Sequence, residues 1–307
     1  MTRPAARDLV APLAVVGAWV VLGTVNPFFL SVSNGLNIAG QVAPLALAAL
    51  GQMLVIVTRG FDISVGSVAA LATVAGALAA GQAGWPGLLA VPAVGLACGA
   101  VNGLLVGYLG IQPIIATLGM LLFARGAALL LSDGNQAVML PPDMPLMDVT
   151  YGEVLGVPAT ALIVLAVTAG LAAALARLRL GRRLYMVGSD PRAAELVGVP
   201  VRRTLAAAYA LCGLAASLAG LVFLGRAGAG LPTEGSGLEL SAIAAAVIGG
   251  TALSGGTGSP FPVLAGAFFV QSLLNGLNLM GISPFVAEVV LGLVIVLAGA
   301  LDFVLRR

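Results

Sequence analysis

Arg59-Gly60-Phe61-Asp62-Ile63-Ser64-Val65-Gly66-Ser67 interrupts two strongly apolar runs. Leu36–Thr58 before it carries no charge, and neither does Val65–Gly81 after it. Within nine residues the break places a cation, a carboxylate, two hydroxyls and two glycines. Lipid cannot satisfy irregular backbone, so such a break lines a polar cavity, lies in protein or sits at the membrane face. Two readings follow. One is a hinge or the polar wall of a solute route, using Asp62, Ser64, Gly66 and Ser67. The other is an ordinary connection at the inner membrane face, with Arg59 closing one helix and Asp62 or Ser64 capping the next. The residues alone leave these two even.

Working outward, the whole chain of 307 residues is 60% apolar and 8% charged. Ordinary globular domains run near 45–50% and about 25%. With 14 basic and 12 acidic side chains, the chain cannot cover a globule with polar groups, and its mean hydropathy is +1.10. It is an all-α integral membrane protein. Glycine, at 42 residues, suits close helix contacts in lipid.

A spanning helix needs about 20 mostly apolar residues. Ten segments meet that description: Leu9–Phe29, Leu36–Thr58, Val65–Gly81, Pro86–Tyr108, Gln112–Leu131, Pro158–Leu175, Thr204–Gly225, Leu240–Leu253, Pro260–Met280 and Pro284–Leu301. The third and eighth are short, which marks them as tilted, broken or partly re-entrant. Ten spans put both termini on one side. With the N-terminus cytoplasmic, every arginine except Arg125 and Arg226 falls inside, as the excess of basic residues in cytoplasmic loops requires. The outside loop, 132–157, holds Asp133, Asp143, Asp148 and Glu153 and no arginine. Arg3 and Arg7 ahead of an apolar stretch resemble a signal peptide. No small-residue cleavage site follows, so the stretch reads as the first span.

An internal repeat is visible. Asn102-Gly103-Leu104 recurs as Asn275-Gly276-Leu277, and Gly110-Ile111-Gln112-Pro113 as Gly281-Ile282-Ser283-Pro284. Arg59, Asp62 and Gly66-Ser67 echo in Arg226, Glu234 and Gly235-Ser236. The offsets are nearly equal and the order is kept. The expected organisation is one domain over 1–307, with a first repeat over about 9–131 and a second over about 158–304. Five spans per repeat is odd, so the second half is inverted.

Residues 177–203 form the one sizeable polar segment on the cytoplasmic side. Asp190-Pro191-Arg192-Ala193-Ala194-Glu195-Leu196-Val197-Gly198 reads as a short helix. Asp190 suits the N-cap, Pro191 the first position and Gly198 the left-handed stop. A helix this short needs a surface to lie on, and a docked cytoplasmic protein supplies one. The competing reading is an arginine-rich loop held on lipid headgroups.

The buried polar residues are Asn102, Arg125, Gln271, Asn275, Asn278 and Glu288. Intramembrane ionisable groups point to function, whereas amides often join helices. The asparagines read as helix–helix contacts, and Arg125 and Glu288 as potential partners. Catalysis finds no support. The absence of histidine excludes a Ser-His-Asp triad and a histidine metal site. The absence of lysine excludes a P-loop, even in glycine-rich 249–259. Cys98 and Cys212 lie in apolar runs and read as small core residues. A net charge of +2 carries no nucleic-acid signature.

Taken together, these segments resemble the carbohydrate branch of the ABC importer permeases, the ribose/xylose/galactose type. The resemblance rests on Gly60-Phe61-Asp62-Ile63-Ser64-Val65-Gly66-Ser67, Asn102-Gly103-Leu104, Ile111–Gly119 and Ala124-Arg125-Gly126. It continues through Gly181–Tyr185, Ala193–Gly198, Ala242–Thr251, Leu253–Gly256, Gly258-Ser259 and Asn275–Leu279. Phe61 and Val197 depart from its pattern. The resemblance implies a type II importer fold in a bacterial inner membrane and an identical second permease copy. It also implies a cytoplasmic ATPase pair docked on the loop after span six, and an extracytoplasmic sugar-binding protein. ATP and magnesium would bind the ATPase and no cofactor this chain. Spans five and ten, near Thr117 and Leu291, would face the two-fold axis. Thr117, Asn275 and Glu288 join Asp62 and Asn102 as candidate route or hinge positions. The rival is a stand-alone secondary transporter or facilitator. It fits the inverted repeat equally well but needs coupling carboxylates in the spans, and only Glu288 and Asp62 are available.

Overall fold

The computed structural model describes residues 10–305. Arg3, Arg7, Arg306 and Arg307, on which part of the orientation argument rests, lie outside them. The described chain is helical: α1 (Val10–Val25), α2 (Val32–Gln41), α3 (Ala43–Val57), α4 (Val65–Ala83), α5 (Ala90–Gly107), α6 (Pro113–Leu131), α7 (Pro145–Tyr151), α8 (Ala159–Arg177), α9 (Arg179–Ser189), α10 (Pro191–Leu196), α11 (Val201–Ala227), α12 (Leu238–Ile248), α13 (Pro260–Leu279) and α14 (Pro284–Leu305). Each of the ten marked segments holds a helix or helix pair. Among the described residues six helices are long and apolar enough to cross a membrane, and seven if the bent pair α2–α3 is one span. α1, α12 and the described apolar part of α14 are shorter.

The 46° bend between α2 and α3 has a local cause. Pro44 has no N–H, and its ring crowds the carbonyl four residues back, at Gly40. The Thr160 hydroxyl donates to that carbonyl at 3.3 Å and replaces the lost bond. All of α3 is buried, so this helix is the centre of the bundle.

The third segment is not short: α4 runs 19 residues. The eighth is broken. α12 has 11 residues, a length of about 16 Å, half the roughly 30 Å of hydrocarbon. A two-residue strand and a run of turns over 232–237 make up the rest. That strand, β2 (Ala229–Gly230), pairs antiparallel with β1 (Val138–Met139) of the 132–157 loop. The chain then follows α4: the Thr73 hydroxyl donates to the Leu231 carbonyl at 3.4 Å, and the Gly235 backbone packs on Gly66.

A glycine stripe joins α5 to α11. Gly95, Gly99, Gly103 and Gly107 repeat every fourth residue, one face of a helix. Added Cβ atoms there would press on α11 backbone: at 2.6 Å from the Ala206 carbonyl for Gly103, and 2.6 Å from that of Arg202 for Gly107. The repeat signatures adopt like geometry. Gly110 and Gly281 both have φ +69°, and Pro113 and Pro284 open α6 and α14.

Candidate functional site

The Arg59–Ser67 break closes α3 and opens α4. Arg59 N–H donates to the Ile56 carbonyl at 2.8 Å and Gly60 N–H to that of Val55 at 3.0 Å. That is a Schellman closure, whose left-handed residue is usually glycine. Here it is Arg59, at φ +68°. Its side chain explains the choice. Nε donates to the Gly188 carbonyl at 2.6 Å and Nη2 to that of Ser189. These are the last carbonyls of α9, where a cation is favoured. Arg59 thus fastens the end of α3 to the end of α9, one residue before Asp190.

The Asp62 carboxyl is buried and does not cap α4 directly. Ser64 holds the N-cap position without a side-chain capping bond. Asp62 Oδ1 accepts from Ser64 N at 2.9 Å and Ser64 Oγ at 2.5 Å, closing a local turn. Asn102 of α5 donates to Asp62 Oδ2 at 3.4 Å and to Ser64 Oγ at 3.1 Å. The Gln52 amide pairs with the Asp62 backbone, donating to its carbonyl at 3.0 Å and accepting from its N–H at 3.2 Å. Ser67 Oγ donates to the Ser64 carbonyl at 2.9 Å. The break is therefore a buried hydrogen-bonded node between α3, α4 and α5, with Gly66 against the segment before α12. Asn102 acts there as a helix–helix contact. Nothing in the sequence marks Gln52, because an amide in an apolar run carries no local signal of its partner.

Removing one partner from this node leaves the others unsatisfied, at about 1–3 kcal/mol each. Asp62→Ala is expected to lower the melting temperature of the purified chain sharply. Asp62→Asn keeps the Oδ1 acceptor, and a flip of the Asn102 amide turns its otherwise unpartnered Oδ1 toward the new donor, so it should melt nearer the parent than Asp62→Ala does. Sugar uptake by that variant reads the charge separately: loss of uptake in a chain of parental stability would assign the charge a role in transport.

The 177–203 loop contains two helices, not one. α9 was legible: Leu180, Leu184 and Val187 form one helical face, with Arg179 and Arg182 turned away from it. α10 forms as its end signals predict. Asp190 accepts from Arg192 N at 2.9 Å and Ala193 N at 3.1 Å. The N–H groups of Ala193 and Arg192 hold this exposed carboxylate below the usual range. Gly198 has φ +82°. The surface under α10 belongs to this chain, however. Ala194 is buried and so not open to a partner, while Leu196 is 88% exposed and Val197 68%. Arg192, Ala193 and Glu195 are also exposed. Glycine-rich 249–259 is a connection between α12 and α13, and it is also fastened to α9 and to the end of α3. Tyr185 donates to the Gly258 carbonyl at 2.8 Å, and Gly256 N–H to that of Val57 at 2.8 Å.

The remaining candidates lie apart from this node. Thr117 is buried on α6 and Asn275 on α13, with its Oδ1 unpartnered. Glu288 is exposed on α14. Arg125 does not pair with Glu288. It donates to the carbonyls of Pro232 at 2.6 Å and Glu234 at 3.2 Å, holding the turns before α12. Irregular backbone at that depth needs such a donor, and no sequence pattern marks a carbonyl as the acceptor.

A multi-pass helical bundle with a broken span and a clamped polar loop is an architecture suited to a membrane transport permease. Residues 34–299 match the family described as branched-chain amino acid transport system / permease component, and the chain belongs to that family of ABC importer permeases. It is 38% identical to the ribose import permease protein RbsC of Escherichia coli K12, over 96% of this chain and 92% of the relative. Identity is 33% to the D-allose transport system permease protein AlsC of the same strain, over 96% and 90%. It is 39% to the autoinducer 2 import system permease protein LsrC of Enterobacter sp. strain 638, over 98% and 89%. The resemblance to carbohydrate importer permeases thus extends over nearly the whole chain. No solved structure matches it.

Proposed function

We propose that this chain moves a monosaccharide or related polyol across a bacterial inner membrane, driven by a separate ATPase and fed by a separate binding protein. The similarity to ribose and allose permeases supports the substrate class. One observation carries the coupling. A helix capped at Asp190 exposes the apolar pair Leu196-Val197 and is tied by Arg59 to the break at Asp62. Docked ATPase subunits would push on Asp190–Gly198, and the push would pass through Arg59 into α3 and α4. ATP and magnesium would bind the ATPase and no cofactor this chain. The hydrogen bonds that occupy Asp62 argue against a proton- or ion-coupled transporter working alone.

In this reading the permease is one domain of ten spans in a five-plus-five inverted repeat, with 132–157 outside and 177–203 and both termini in the cytoplasm. The matched turns at Gly110 and Gly281, and the approach of Gly66 to Gly235, support the repeat. A second permease copy would complete the route. Ser64, Ser67 and Asn102 would serve the hinge, and Thr117, Asn275 and Glu288 the route.

The double variant Leu196→Glu/Val197→Glu tests the docking. Both side chains are exposed, so the chain is expected to fold and insert as before. ATPase subunits should no longer copurify with it, and sugar uptake should be lost. Normal copurification and uptake would remove α10 as the docking element.

A further inference from the structure

A cavity of about 940 Å³ lies away from the clamped node, between the end of α11, the turns entering α12, and α13 and α14. Gln41, Arg226, Glu234, Gln271, Asn278 and Glu288 all line it. In a chain with 26 charged residues, three charges and three amides on one cavity within the bundle are not incidental. Arg226 and Glu234 are half-buried there, and partly buried charges are costly unless they are paired or meet a polar solute.

The lining is left incomplete by the protein. Gln41 donates to Asn37 at 2.8 Å and accepts from Gln271 Nε2 at 3.1 Å. That orients Gln271 and leaves its Oε1 without a donor among the described residues. Arg226, half-buried, donates no side-chain hydrogen bond among the described residues. α12 starts at the cavity, and Gly237 at its N-cap position supplies no side-chain acceptor for the first-turn N–H groups. Donors therefore come from Arg226 and the start of α12, and acceptors from Glu234, Glu288 and Gln271. A hydroxyl both donates and accepts, so a solute bearing several hydroxyls satisfies both sets at once. Phe223, Leu274 and Leu291 supply apolar wall for its C–H faces. One arginine against two glutamates leaves the side-chain charge negative, which disfavours a phosphorylated or carboxylated solute. The volume falls in the usual range for small-molecule sites, about 300–1,000 Å³.

We propose that this cavity is the recognition chamber of the permease, built for an uncharged polyhydroxylated solute the size of a monosaccharide. The inference rests on the import reading above and gives it a place. Cysteine protection in the complete transporter, reconstituted with its ATPase and binding protein, tests it. Cys98 and Cys212 are buried, so the unsubstituted chain is the background. Ser241→Cys, on the cavity wall, is treated with a water-soluble methanethiosulfonate. Leu13→Cys on α1, 67% exposed on an apolar helix, is the control. Position 241 should react and position 13 should not. D-ribose or D-allose at about ten times its Kd should slow the reaction about tenfold, as occupancy by one ligand requires. Ribose 5-phosphate and L-leucine should have no effect. Protection by leucine alone would replace the polyol with a zwitterionic amino acid. Absence of reaction, or reaction that none of these solutes slows, would overturn the chamber. Uptake of labelled sugar before modification separates the two ideas. Uptake without protection rejects the cavity alone, whereas no uptake of any sugar rejects the import reading.

Discussion

Gly99→Leu is expected to abolish accumulation of the folded chain in the membrane. Gly99 sits mid-stripe, and even a methyl there would overlap the Tyr209 carbonyl and approach Ala210 Cα at 2.9 Å. Overpacking a core by a few methylenes usually costs 1–3 kcal/mol because side chains shift to accept them. Here the obstacle is backbone, which has no rotamer to change. The α5–α11 separation must grow along the whole stripe, and each of its other three glycine contacts loosens. The loss should exceed about 3 kcal/mol, a large part of the 5–15 kcal/mol typical of a folded protein. Gly119→Leu and Gly126→Leu on α6 are the matched controls, since nothing lies within 4 Å of either added Cβ. Size-exclusion yield from detergent extracts of the variants should separate the first from the other two. Equal yields would show that α5 and α11 are not packed as described.

Arg59→Gly is expected to leave the fold intact and to cut sugar uptake more than tenfold. A left-handed backbone costs a non-glycine residue about 1–2 kcal/mol, so glycine relieves the φ of +68°. That relief offsets part of the two charge-assisted bonds to the α9 carbonyls, worth about 1.5–3 kcal/mol each. If Arg59 were only a helix cap, the variant would transport as the parent does. If it links α10, as proposed for docking, to the Asp62 node, its loss should leave the ATPase attached and hydrolysing but no longer stimulated by loaded binding protein. Arg59→Lys offers a single ammonium in place of the two-pronged guanidinium and should fall between. Normal stimulation in Arg59→Gly would mean that the push travels through the 249–259 connection instead.

The parts of this molecule legible in its sequence are those set by near neighbours along the chain. Apolar runs declared the bilayer. Asp190-Pro191 and Gly198 placed α10 to within a residue, because capping is decided by contacts over two to four residues. The amphipathic face of α9 was equally local and was there to be read. Arg59, by contrast, is marked in sequence only as a charge at a break. That it holds α9 depends on carbonyls 129 and 130 residues away. Ala194 and Ala193 are identical as residues, and only the packing of α10 decides that one is buried and the other exposed. The eighth segment shows the same division. Its shortness was written in the sequence. Its completion by turns packed along α4 required Arg125 and Thr73 to satisfy backbone carbonyls, and any residue presents the same carbonyl. Sequence by itself determined where helices start, stop and break. Tertiary structure alone decided which breaks meet, because in lipid every freed backbone group must find its partner inside the protein.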